Sequence, residues 1–146
     1  MNNDSGKSHA GRKVLVLDAE PTVQAVVKRI LESAGYSAFA TADIATAVEI
    51  CKAGIPDLVI TNVSLPGISG HEMMKILKEI CPETPVLMVS GLPDSEIIQH
   101  WTKQDGFDVF PKPFQKDELL LKIEQVMTER RLAMADLSRD RQGQPS

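Results

Sequence analysis

The chain has 146 residues, 42% of them hydrophobic, which is enough for one domain with a buried core and no covalent staples. Its net charge is −4 and its 16 Lys and Arg residues are scattered, which excludes the basic stripe that tracks a phosphate backbone, so direct nucleic-acid binding is not expected. No stretch approaches the roughly 20 apolar residues that span a bilayer, and the polar start has no signal-peptide centre, so a cytoplasmic protein without membrane contact is expected.

Residues 1–11 are polar and read as a flexible arm, with a single domain expected over 12–130. Val14 to Leu17 is an all-apolar run, the pattern of a strand buried on both faces of a sheet. It ends in Asp18-Ala19-Glu20 before Pro21, which suits the first position of a helix. Val23, Val26, Val27, Ile30, Leu31 and Ala34 then recur at helical spacing as one apolar face, and Gly35 ends the helix. Tyr36 to Thr41 alternates weakly, as an edge strand does. Asp43 is placed to cap a second helix carrying Ile44, Ala47, Val48 and Cys51, which stops near Gly54.

Asp57 to Thr61 is another short apolar run rich in β-branched residues, and it meets Asn62 where the turn formers of Leu65-Pro66-Gly67 and Ser69-Gly70 begin. A third helix is expected from Glu72 to Ile80, broken by Pro82. A fourth strand spans Val86 to Val89 and runs into Ser90-Gly91. A fourth helix follows Pro93 and contains Trp101. A short fifth strand covers Phe107 to Phe110, and the last helix carries Leu119, Leu120, Ile123, Val126 and Met127. Residues 131–146 read as the end of that helix and a polar tail, beginning near Ala135. Strands alternating with helices over short connections imply a parallel, doubly wound α/β sheet. Cys51 and Cys81 are far apart in sequence and read as buried free thiols. His9, His71 and His100 form no metal spacing.

From about Lys13 to Met127 the chain resembles the receiver domain of two-component response regulators. The resemblance rests on five segments in order: Val14 to Pro21, Asp57 to Gly70, Ser90-Gly91, Lys112-Pro113-Phe114, and the helices between them. It implies a flavodoxin-like (βα)5 three-layer sandwich with sheet order 2-1-3-4-5. It also implies a pocket holding an acid pair, a phosphoacceptor aspartate, a hydroxyl and a lysine. In this chain the acceptor position is Asn62 and the acid pair is Asp18 and Ala19, while Ser90 and Lys112 fill the other two stations. The family's switch aromatic falls on Val109.

Phosphoryl transfer to a side chain needs an anionic oxygen, which an amide does not supply. Mg²⁺, the family's cofactor, prefers carboxylate and water oxygens. With an amide at Asn62 and a methyl at Ala19, only a weak residual site of Asp18, Asn62 and the Ser64 carbonyl remains, so no bound cofactor is expected. Asp18 is expected to pair with Lys112, and Asn62 to bond to Ser90 or Lys112. Two losses in one pocket fit a naturally degenerate site better than one introduced change.

The expected function is a non-enzymatic receiver-like module of a phosphorelay, independent of phosphorylation at Asn62. Its partners would be a histidine kinase, a phosphotransferase or an output protein. Trp101, Phe110 and Leu120 are expected on a partner face built on the fourth helix, fifth strand and last helix, and Leu119 with Leu120 leaves room for a homodimer. With no further domain after residue 135, the output is expected in another protein or another part of the gene. Two alternatives stay open: a switchable receiver using another phosphosite or ligand, and a small flavodoxin-like enzyme or nucleotide binder. The latter lacks a Gly-rich phosphate loop after the first strand.

Overall fold

Burial along the strands follows their place in the sheet. In the computed structural model, which describes residues 11–63, 65–90 and 108–143, β1 (Lys13–Leu17), β3 (Leu58–Asn62) and β4 (Val86–Ser90) are almost wholly buried. β2 (Ser37–Thr41) and β5 (Asp108–Pro111) are only partly covered. The sheet order is β2-β1-β3-β4-β5 and every pairing is parallel. The three central strands have helices over both faces and therefore read as continuous apolar runs, whereas the edge strands do not. Pro111 is tolerated because it closes an edge strand.

Alternate side chains of each strand enter opposite layers. Val14, Val16, Leu58, Ile60, Leu87 and Val89 pack with α1 (Pro21–Ser33) and α4 (Lys116–Gly143) through Val27, Leu31, Leu119 and Ile123. Leu15, Leu17, Val59 and Met88 pack on the other face with α2 (Ile44–Ala53) and α3 (Gly70–Ile80) through Ala47, Cys51, Met73 and Leu77. This is the flavodoxin-like three-layer arrangement in the expected strand order.

The helix starts have local causes. Pro21 opens α1, Asp43 accepts from the Ala45 and Thr46 amides at the start of α2, and Ser69 Oγ accepts from Glu72 N at 3.1 Å. That Ser69 cap starts α3 at Gly70, two residues before the position expected from its apolar rhythm. Gly35, with φ of 96°, turns the chain out of α1 in a conformation that side-chain-bearing residues resist.

Two expectations are corrected. The final helix does not end near Ala135 but continues through the polar stretch to Gly143, because residues 131–142 contain no proline or glycine and include three Arg, two Ala and two Leu. Val26, assigned to the inner face of the first helix, is 52% exposed, because the sheet reaches only the Val27, Ile30 and Leu31 side of α1. The helix expected from Pro93 lies outside the described residues.

Candidate functional site

Strand order reverses direction between β1 and β3, and at such a point the carboxyl ends of neighbouring strands diverge and leave a crevice. Asp18 follows β1 and Asn62 ends β3, so these two residues flank the crevice, with Ser90 at the end of β4 and Lys112 just after β5. Positions scattered over 94 residues of sequence are thereby brought to one edge.

Asp18 is the fixed point of this edge. Its backbone N–H donates to Thr41 O at 3.2 Å, and its carbonyl accepts from Gln24 Nε2 at 2.6 Å. Its carboxylate is buried and engaged at both oxygens: Glu20 N donates to Oδ1 at 2.9 Å, and Lys112 Nζ donates to Oδ2 at 3.3 Å. The side chains of that pair are 5% and 24% exposed respectively. Lys112 is held by its own backbone, whose N–H donates to Ser90 O at 2.8 Å and so extends the β4–β5 ladder into the site. Ser90 is buried. Ala19 is exposed and offers nothing but a methyl. Glu20 is the N-cap of α1 without a side-chain capping bond, so it serves the helix start through its backbone.

Asn62 behaves differently from expectation. We expected its amide to bond to Ser90 or Lys112, but its Oδ1 accepts from the neighbouring Val63 N–H at 3.0 Å. Its carbonyl accepts from Thr61 Oγ1 at 2.8 Å. The side chain of an asparagine at a strand end commonly folds back on the chain in this way. The following loop is closed by the Leu65-Pro66-Gly67-Ile68 turn, in which Ile68 N donates to Leu65 O at 3.3 Å and Gly67 takes φ of 78°. Leu65 is buried and anchors that loop against α3.

Ser64 and Trp101 lie outside the described residues. Val109 packs into the layer beneath α2 and α3, while Phe110 points the other way, its ring centroid 5.9 Å from that of Phe114. Phe110 and Leu120, expected on a partner face, are half-buried packing residues of the α1/α4 layer, because β5 directs every second side chain inward and α4 turns Leu119, Leu120 and Ile123 toward the sheet. Leu121, at 71% exposure, is the leucine of this run that faces solvent.

An apolar surface hollow of about 420 Å³ beside the site escaped the sequence reading. It is lined by Thr22, Val23, Val26, Lys112, Pro113 and Phe114. The available signal was the surplus of valines on the first helix, more than one buried stripe uses. Among the described residues no three His, Cys, Asp or Glu side chains converge as a metal cluster would, and no helix is long and apolar enough to cross a membrane.

Residues 14–124 match the family model of the response regulator receiver domain. The chain is 35% identical over 129 residues to the nitrogen assimilation regulatory protein NtrX of Azorhizobium caulinodans, covering 87% of this chain and 27% of that protein. It is 27% identical over 107 residues to sporulation initiation phosphotransferase F of Bacillus subtilis, covering 73% of this chain and 86% of that one. The solved structure of NtrX from Brucella abortus superposes with a TM-score of 0.79 at 27% identity, over 87% of this chain and 29% of that chain. Chemotaxis protein CheY4 of Vibrio cholerae superposes with a TM-score of 0.72 at 28% identity, over 80% of this chain and 99% of that chain. The chain thus spans about a quarter of the length of NtrX.

Proposed function

The chain belongs to the response regulator receiver domain family, and on that premise we propose that it acts as a phosphate-independent receiver, a module that docks a signalling protein without being phosphorylated at Asn62. One observation carries this reading: the residue at the acceptor position is an amide folded back on Val63, and the remaining acid, Asp18, is already engaged by Lys112. An amide has no anionic oxygen with which to attack a phosphorus centre. The residues also do not fit Mg²⁺. The ion takes hard oxygens, usually one or two carboxylates with several waters, and the Asp18 carboxylate is charge-paired to an ammonium while Ala19 contributes no ligand oxygen from its side chain.

The state this pocket favours is therefore one fixed arrangement. In the family, a transferred phosphoryl group draws the β4 hydroxyl inward and an aromatic follows. Here Lys112 already holds Asp18, and Val109 has no ring to move. A histidine kinase, phosphotransferase or output protein that meets this end of the domain meets the apolar hollow of Val23, Val26, Pro113 and Phe114. Apolar surface of that kind suits protein contact better than a charged ligand.

Incubating the chain with a small-molecule phosphodonor and Mg²⁺, then weighing it intact, tests the reading. The expected result is an unchanged mass under conditions that modify an ordinary receiver. An acid-labile phosphoryl adduct would support the switchable alternative and overturn this one.

A further inference from the structure

The fold brings together the two cysteines that the sequence keeps apart. Cys51 lies on the inner face of α2 and Cys81 caps the end of α3, and they are 1% and 3% exposed in the same core layer. Both are free, and each thiol lies within the other's electrostatic surroundings in that layer. Their surroundings differ. Cys81 donates from Sγ to Leu77 O at 3.3 Å and lines an open cleft of about 290 Å³, bordered by Leu77, Pro82, Thr84 and Val126. Cys51 lies behind it, close to the Lys13 ammonium, which is held by Ile50 O at 2.8 Å and Gly54 O at 2.5 Å on either side of Cys51 in sequence.

We propose that Cys51 and Cys81 form an oxidisable dithiol, in which a small hydroperoxide enters the cleft, oxidises Cys81, and Cys51 closes the disulfide. The first step transfers one peroxide oxygen to the Cys81 sulfur, giving a sulfenic acid and, from hydrogen peroxide, one water. In the second, the Cys51 sulfur attacks the Cys81 sulfur, and the sulfenic oxygen leaves as water with the Cys51 proton. The sum consumes two thiols and one peroxide and yields one disulfide and two waters.

The Lys13 charge favours the thiolate on the attacking Cys51. Burial pushes both thiols up, with Cys81 at about 11, so the reaction is slow at neutral pH and answers sustained rather than brief exposure to peroxide. The crosslink would enclose β3, Asn62 and the loop into α3 in one covalent ring, tying the two helices that flank that segment.

The test is to treat the full chain with hydrogen peroxide, block remaining thiols by alkylation under denaturing conditions, and weigh the product. The expected product is about 2 Da lighter than the reduced chain, takes up no alkylating agent, and returns to two alkylated thiols after reduction. Proteolytic mapping of the same sample should find the Cys51 and Cys81 peptides linked. Cys51→Ser should instead stop at a sulfenic acid on Cys81 that a carbon nucleophile traps. If that variant is unfolded, the mapping of the unsubstituted chain decides alone. Two alkylatable thiols after prolonged exposure, sulfinic acid on Cys81 without a crosslink, or a disulfide joining two chains would each overturn the proposal.

Discussion

The Lys112 ammonium stands 3.3 Å from the carboxylate of Asp18, joining the last strand of the sheet to the first. The carboxylate is nearly inaccessible and also accepts from Glu20 N, while Lys112 is fixed through its backbone to Ser90. The contact therefore closes the edge where strand order reverses. A buried pair of this kind contributes little relative to an apolar replacement of both partners, but removing one partner strands the other.

The first prediction follows from that asymmetry. Lys112→Met leaves a buried carboxylate with the Glu20 amide as its remaining donor among the described residues and should destabilise the domain by about 1–3 kcal/mol in urea unfolding. Asp18→Asn combined with Lys112→Met should recover part of this loss, with a coupling of about 1 kcal/mol. Strictly additive single and double variants would mean that the pair carries no net interaction.

The second prediction separates the acceptor from the metal site. Asn62→Asp alone restores a nucleophile but still lacks the second acid, so its labelling by a phosphodonor with Mg²⁺ should remain poor. Adding Ala19→Asp supplies a carboxylate for the ion and should raise the labelling rate by at least about tenfold, equivalent to ~1.4 kcal/mol. Equal rates in the two variants would show that the Ala19 position is immaterial to the chemistry.

The strands and helices were readable because two-sided burial leaves continuous apolar runs and turn formers mark their ends, whereas the strand order and the placing of Asp18, Asn62, Ser90 and Lys112 at one edge rested on the resemblance to the receiver family. What was not readable depends on distances between elements. Val26 carries the same apolar signature as Val27, and only the position of the sheet decides that one is covered and the other exposed. Phe110 and Leu120 read in the sequence as partner-face residues, and only the packing shows that both also fill the α1/α4 layer while staying partly exposed. The nearness of Cys51 to Cys81 depends on how α2 and α3 pack, which no local pattern encodes. The Asn62 oxygen had several acceptable donors, and the one it takes is the N–H of the next residue, Val63.

The third prediction concerns the length of α4. Its 28 residues extend about 42 Å, well beyond strands of about 17 Å. Arg130 pairs with Glu83, and Arg131, Leu132, Ala133 and Ala135 are exposed. Ending the chain after Ala135 should remove helical signal in circular dichroism and shift the thermal midpoint by no more than about 4 °C. A larger loss of stability would mean that the extension is packed, and sedimentation of the full chain would then identify a second copy as its cover.

The last prediction uses the single tyrosine of the chain. Tyr36 follows the α1 turn and is buried in the α1/α4 layer, so its ring contributes to the core. Burial, reinforced by the negative charge of Glu124 and partly offset by Arg12, raises its pKa from 10.0 to about 12. The folded state therefore favours the neutral phenol. Its contribution to stability is fully present below pH 10, the unfolded value, and is lost as pH rises toward 12, since the unfolded chain releases the proton first. Ultraviolet titration of phenolate should give a midpoint near 12 in the native protein and near 10 in denaturant. Tyr36→Phe should flatten the alkaline fall in stability across that interval while leaving the fold intact. A native midpoint at the ordinary tyrosine value would show that the hydroxyl reaches solvent and that the α1/α4 layer is looser around it.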